Sequence, residues 1–340
     1  MPTLRPPGRV PRALTAGTAL VTLALLLTGC GGDSEAATAT GDAAGKVTVG
    51  QLSNGAARPT TLDVPEVKAL HAELPAAVRA RGTLVIGVGA LPSGFPPLAY
   101  VGGDQKTLTG AEPDLGRLVA AVLGLKPELK NSTWENMFVG IDSGRTDVAF
   151  SNVTVTEERK KKYEFASYRQ DNLAFEVPAK STWTFRGDYR ALARKTVAVG
   201  SGTNQEKILL EWKDRLAREG KRLTVKYYQD SNSTYLALAS GRIDAYFGPD
   251  PGIAYHVRQS ANTPRATRNA GTFSGAGAGL QGLIAATAKK DSALAKPLTD
   301  ALDHLIRGGQ YGKWLAAWNL SDEAVPKAET DPPGLPLDNS

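Results

Sequence analysis

Apolar positions along this chain alternate between two rhythms. Gly82-Thr-Leu-Val-Ile-Gly-Val-Gly89 is a β-branched run followed by Pro92, Ser93, Gly94 and Pro96, which predicts a strand entering a turn-rich loop that carries Phe95. From Asp114 the residues Leu115, Leu118, Val119 and Val122 keep helical spacing until Gly124, which predicts a helix with a glycine stop. The alternation then recurs. Trp134, Phe138 and Ile141 lie on a helical face ahead of the short strand Val148, Ala149 and Phe150, and Thr196-Val-Ala-Val199 is a strand ahead of a helix over 205–218. Another strand at 225–228 precedes a helix over 234–239, and helices are expected over 294–306 and 311–318, where they can pack back on the first part of the fold. A short helix is also expected over 64–79, and the glycine-rich stretch 268–279 suits a return crossing.

Two of these helix-to-strand crossovers read almost alike. Ser143-Gly-Arg-Thr-Asp-Val-Ala-Phe150 and Ser240-Gly-Arg-Ile-Asp-Ala-Tyr-Phe247 lie 240 − 143 = 97 residues apart, which implies two similar α/β lobes. Ligands on open α/β sheets sit at the loops beyond the carboxyl ends of the strands. The first copy runs into the loop 151–156, where Thr156 is expected to cap a helix with Arg159 in its first turn. The second runs into Gly248-Pro-Asp250. One lobe thus offers a cation and the other an anion, a clamp for a small zwitterion. Asp147 and Asp244, inside the repeat, read as turn or strand-entry residues. The loop Gly200-Ser-Gly-Thr-Asn-Gln205 opens a helix and turns backbone N–H groups toward an anion, but it lacks the Gly-Lys-Ser/Thr ending of a nucleotide loop.

The 340 residues are 41% hydrophobic and 22% charged, which suits one or two globular domains rather than a disordered chain. The formal charge of +6 includes Arg5, Arg9 and Arg12, which belong to a secretory signal: a basic start and an apolar run through Leu27 too short to span a bilayer. That run ends in Leu27-Thr28-Gly29-Cys30, which resembles the lipobox of bacterial lipoproteins, and Cys30 is the sole cysteine. The expectation is a chain lipidated at Cys30 and held outside the cytoplasmic membrane, with no intrachain disulfide. No concentrated basic stripe marks a nucleic-acid binder. His71, His256 and His304 are scattered, so no metal site and no cofactor are expected.

With Gly82-Thr-Leu-Val-Ile-Gly-Val, Leu108-Thr-Gly-Ala-Glu-Pro-Asp-Leu115, Trp134 thirteen residues before Asp147, Thr154-Val-Thr-Glu-Glu-Arg159, Ser201-Gly-Thr203 and Gly241-Arg-Ile-Asp244 leading to Pro249-Asp250, the chain resembles the family 3 solute-binding proteins of bacterial ABC importers over about 82–320. The resemblance implies an α/β, bilobed periplasmic-binding-protein fold of type II, with two α/β lobes joined by two hinge strands. Lobe 1 would comprise 82–174 and 276–320 and lobe 2 would comprise 175–275. Before them stand a signal peptide at 1–29 and a tether and extension at 30–81; a C-terminal tail at 321–340 follows. The same resemblance implies that Arg159 pairs with a ligand α-carboxylate and that Asn152, Thr154, Thr203 and Asn204 line the loops meeting it. It further implies that Asp250 holds the α-ammonium and that Phe95 and Trp134 wall the side chain.

The expected function is capture of an amino acid or related zwitterion and its delivery, by a monomer, to an ABC permease. The loop 90–95 contains no acid. In the family the chain resembles, binders of basic amino acids place an acid in this loop, so the resemblance implies neutral polar or aromatic amino acids, or compact zwitterions such as a betaine or ectoine, rather than basic ones. Two alternatives stay open: a periplasmic cyclohexadienyl or arogenate dehydratase on the same scaffold, and an extracellular amino-acid sensor. Catalysis needs a poised acid or base, and the expected cleft offers one carboxylate, Asp250, and no Ser-His or Cys-His pair, so a binder is expected rather than an enzyme.

Overall fold

The computed structural model describes residues 45–228 and 230–338. The expected signal peptide, Cys30 and most of the expected glycine- and alanine-rich tether lie outside the described residues. The first element of the described residues is a hairpin that the hydrophobic pattern did not reveal, β1 (Lys46–Val49) paired antiparallel with β2 (Thr60–Asp63). The helix expected over 64–79 is two helices, α1 (Lys68–Glu73) and α2 (Ala76–Arg81), separated at Pro75. Proline has no N–H to donate and clashes with the preceding turn, so the helix stops and restarts.

The body follows the expected alternation. β3 (Thr83–Val88), β4 (Tyr100–Val101), β5 (Leu108–Thr109), α3 (Ala111–Val122), β6 (Lys126–Asn131), α4 (Trp134–Asp142), β7 (Val148–Ala149) and β8 (Tyr163–Gln170) come first. The chain then crosses to a second sheet with β9 (Asn172–Pro178), β10 (Thr196–Ala198), α5 (Asn204–Arg218), β11 (Thr224–Lys226), α6 (Ser231–Ala239), β12 (Ala245–Pro249), α7 (Asp250–Ser260) and β13 (Thr267–Ser274). It returns through β14 (Leu283–Lys289) to α8 (Ala295–Arg307) and α9 (Gln310–Ala317).

Two five-stranded mixed sheets result, ordered β6-β3-β7-β14-β8 and β11-β10-β12-β9-β13. Each has three parallel strands followed by two antiparallel ones. The repeat is the device that builds both. Gly144 and Gly241 take φ of 72° and 71°, a left-handed turn open to glycine at no steric cost. Asp147 Oδ2 accepts from Val85 N at 2.8 Å, and Asp244 Oδ2 accepts from Thr196 N at 2.7 Å. Each repeat aspartate thus pins the start of the neighbouring parallel strand, the strand-entry role read from the sequence.

The first lobe has the larger core. α3 is buried along nearly its whole length, and α9 docks on it: Trp314 Nε1 donates to Ala111 O at 2.9 Å and Trp318 Nε1 to Asp114 Oδ2 at 3.0 Å. The early hairpin is stitched to the same carboxylate through Gly50 N at 2.7 Å. Leu298, Leu302 and Leu305 of α8 are fully buried against this core, each contributing about 1.5–3 kcal/mol. The second lobe centres on stacked aromatics, with Phe175 and Phe247 rings 4.3 Å apart.

Candidate functional site

A cleft of about 490 Å³ opens between the two sheets, lined by Phe95, Glu112, Trp134, Asn152, Asn204 and Tyr246 among others. Its first wall comes from the loop after β3 and from α4. Thr133 Oγ1 caps α4 through Asn136 N at 3.3 Å, which fixes Trp134 at the helix start, facing the opposite lobe. There Trp134 Nε1 donates to Gly202 O at 3.3 Å. Phe95 reaches across as well, since a Cβ on Gly252 of α7 would lie 2.3 Å from its ring.

The loop after β7 supplies the charge. The helix expected at 156–159 is a single 3-10 turn, Arg159–Lys161, although Thr156 Oγ1 does accept from Arg159 N at 3.0 Å. Arg159 Nη1 donates to Thr154 O at 2.9 Å and Nη2 to Gly202 O at 3.2 Å. The guanidinium also lies 5.4 Å from the Trp134 ring centre and 5.5 Å from that of Phe138. Burial pulls its pKa down to about 10, with Asp171 opposing the shift, so it is cationic at neutral pH. Two donors of the first lobe, Arg159 Nη2 and Trp134 Nε1, thereby converge on one carbonyl of the second.

Asn204 and Thr203 stand at the start of α5, and Thr203 Oγ1 caps it through Glu206 N at 3.2 Å. One of the loop N–H groups expected to face an anion is satisfied internally, because Gly202 N donates to Glu206 Oε2 at 2.6 Å. The Asn204 and Thr154 side chains converge on a residue the sequence reading missed. Asp171 Oδ2 accepts from Thr154 Oγ1 at 2.7 Å and from Asn204 Nδ2 at 3.0 Å. Asp171 joins β8 to β9, and Gly275 on the return crossing has no room for a Cβ, which would stand 1.6 Å from the same oxygen. Burial pushes the Asp171 carboxyl above its ordinary range, against those two hydrogen bonds and the Arg169 and Arg159 charges.

Asn152 lines the cleft with its backbone at φ 53° and accepts from Arg169 Nη2. Arg169, 1% exposed, also pairs with Glu112 and Glu323, and Tyr168 donates to Glu112. One guanidinium neutralises one carboxylate, so burial pushes the Glu323 carboxyl up to about 7, although Arg169 opposes the rise.

Asp250 is not among the residues that line the cleft. The 97-residue offset pairs Asn152 with Pro249, and both of these line it. Asp250 falls one position further, opposite the buried Val153, and opens α7 with Oδ1 accepting from Asn269 Nδ2 at 2.9 Å. Burial raises its carboxyl, and Asp322 adds to the rise. Arg159 and Thr154 are likewise outside the lining: Arg159 packs on Trp134, which lines the cleft, and Thr154 bonds Asp171. Tyr227, Tyr228 and Tyr246 do line it; the sequence pattern puts them in a strand and in the second repeat without giving any of them a role at the site.

Two lobes of matched topology, linked by two crossing strands and closing on a shared cleft, define a type II periplasmic binding-protein fold. The family model of bacterial extracellular solute-binding proteins, family 3, matches residues 86–321, and the chain belongs to that family. It is 31% identical over 245 residues to the L-cystine-binding protein TcyJ of Escherichia coli (strain K12), covering 71% of this chain and 85% of that one. It is 25% identical to the arginine-binding protein ArgT of Corynebacterium glutamicum (strain ATCC 13032), covering 78% and 82%. Among solved structures, an ancestral arginine-binding protein bound to arginine superposes with a TM-score of 0.60 at 25% identity, covering 70% of this chain and 98% of that one. These relatives are named as binding proteins, and the enzyme alternative gives way to that of a binder.

Proposed function

We propose that this chain is the lipid-anchored receptor of an ABC importer, tethered through Cys30, and that it encloses a zwitterionic amino acid with no net side-chain charge. L-Cystine is the first candidate. The observation that carries the reading is the convergence of Arg159 Nη2 and Trp134 Nε1 on Gly202 O. A ligand carboxylate entering between the lobes takes the place of that carbonyl as the acceptor for both donors, and a charge-assisted bond is stronger than the neutral one it replaces. Phe95 and Trp134 wall the cleft, with Asn152, Thr203 and Asn204 as polar contacts. Thr154 acts by holding Asp171.

The carboxylates lining the cleft are Glu112 and Glu135. Glu112 is tied up by Tyr168 and Arg169 and Glu135 stands exposed at the rim, so the buried part of the lining offers no free carboxylate to a cationic side chain. A cystine-binding protein and arginine-binding proteins both stand among the relatives, and this charge balance favours the former. The bound solute is then presented to a permease. A thermal-shift panel of L-cystine, L-arginine, L-glutamine, glycine betaine and ectoine tests the assignment, because a ligand of the folded state raises its midpoint. A shift with L-cystine is expected; a shift with L-arginine alone overturns the charge argument.

A further inference from the structure

The family match ends at residue 321, yet the next seventeen residues, 322–338, are built into both lobes. Glu323, 3% exposed, closes the pair with Arg169. The segment then runs along β8, the edge of the first sheet. Ser167 N donates to Glu329 O and Asp331 N to Phe165 O, both at 2.9 Å, and Asp331 Oδ1 accepts from Phe165 N at 2.9 Å. Edge strands leave backbone groups unpaired, and this segment satisfies several of them.

Beyond Asp331 it reaches the loop that carries Arg159. Leu335 N donates to Val155 O at 3.0 Å and Leu335 O accepts from Glu157 N at 2.9 Å, while Gly334 N donates to Glu157 Oε1 at 2.9 Å. The Leu335 side chain is fully buried and belongs to the apolar cluster of the second lobe, with Phe175, Ile208 and Phe247. Lys207 of α5 then donates to Pro336 O at 2.5 Å and Leu337 O at 2.9 Å. One residue, Leu335, is thus bonded to the first lobe through its backbone and seated in the second through its side chain.

We propose that 322–338 is an interlobe strap, with Leu335 as a positioning residue. It holds the Arg159 loop in place and biases the lobes toward the arrangement in which they touch across the cleft. The proposal rests on the reading that the lobes separate to admit a ligand, a hinge motion in which Leu335 must leave its seat. Such a strap tunes affinity from outside the cleft, because the apparent dissociation constant scales inversely with the fraction of molecules in the competent arrangement.

The test uses the full chain carrying Cys30→Ser, with spin labels on Val139→Cys of α4 and Leu236→Cys of α6, both exposed. Inter-lobe distances are measured without ligand, so the result does not depend on which solute binds. Leu335→Asp is expected to lengthen and broaden the distance distribution, and Leu335→Met to leave it unchanged. The apparent dissociation constant for L-cystine is expected to rise about tenfold in Leu335→Asp. If Leu335→Asp does not fold by circular dichroism, Lys207→Ala, on the surface of α5, and Gly334→Ala, whose Cβ would stand 2.4 Å from Val155 O, are read for the same lengthening. A distribution unchanged in the folded variants overturns the strap. A failure of L-cystine to bind even the unaltered chain counts against the proposed ligand, and the distance measurement still decides the strap.

Discussion

The two repeated crossovers are the same structure put to different uses. Both are capped at the same offset, by Thr133 and by Asp230, both turn on a left-handed glycine, and both pin a neighbouring strand with an aspartate. Three residues past the repeat aspartate, Phe150 and Phe247 are each fully buried. Beyond them the copies part. The first delivers a left-handed asparagine and then a loop ending at Arg159, while the second delivers Pro249 to the same cleft-facing position and starts a helix. The shared part sets a strand in a sheet, a task dictated by backbone hydrogen bonding. The divergent part sets charge at a cleft, where backbone geometry imposes no common answer. The difference places the Arg159 guanidinium on the first lobe, against the Gly202 carbonyl of the second, whose lining adds Asn204, Tyr246 and Pro249.

The largest effect on this contrast is expected from Arg159→Ala. Losing the charged partner of a ligand carboxylate raises the dissociation constant for L-cystine on the order of 100-fold or more, with circular dichroism unchanged; calorimetry showing an unaltered constant removes Arg159 from the site. Next come the repeat aspartates, compared as a pair. Asp147→Ala is expected to cost about 2 kcal/mol in urea unfolding, because its carboxylate serves both Val85 N and Arg81. The more exposed Asp244, which serves Thr196 N, is expected to cost about 1 kcal/mol or less. Equal costs would mean that the extra Arg81 contact is inert.

A comparable effect concerns pH. Glu323 binds its proton more tightly folded than unfolded, since burial lifts it to about 7. Unfolding therefore releases that proton, and its contribution to stability is greatest below the ordinary glutamate range and fades as pH rises through 7. Between pH 5 and pH 8 this amounts to a loss of about 2 kcal/mol, read as a falling thermal midpoint. The slope should flatten in Glu323→Gln, and a slope the variant leaves intact assigns the pH dependence elsewhere. The smallest effect is expected from Asp250→Asn: a change of about twofold or less in affinity, because the side chain bonds Asn269 outside the cleft lining. A loss approaching that of Arg159→Ala would return Asp250 to the role of ammonium partner.

How far the site could be read from the chain follows from the range of the interactions that make it. Trp134 and Thr203 sit at helix starts whose caps are local, so hydrophobic spacing placed the helices, while the family resemblance singled out the two residues. Asp250 opens α7 one position beyond the cleft-lining Pro249, a placement set by the strand pairing that precedes it. Asp171 was invisible for a stronger reason. It acquires meaning only where Thr154, Asn204 and Gly275, drawn from three separate parts of the chain, meet around its oxygen. Arg169, Glu112 and Glu323 are likewise a cluster assembled by folding, and the segment after Ser321 read as a tail because its sequence has no periodicity of its own.

Legible in the chain alone are the alternation of strands and helices, the existence of two like lobes, and the basic character of the loop after the first repeat. These rest on periodicity, capping and turn chemistry, which act over a few neighbouring residues. Folding alone brings Glu112 into the cleft lining, joins Thr154 and Asn204 at Asp171, and makes Leu335 a link between the two lobes. Each of those depends on residues tens to hundreds of positions apart being brought within hydrogen-bonding or packing distance, and no local pattern encodes such a meeting.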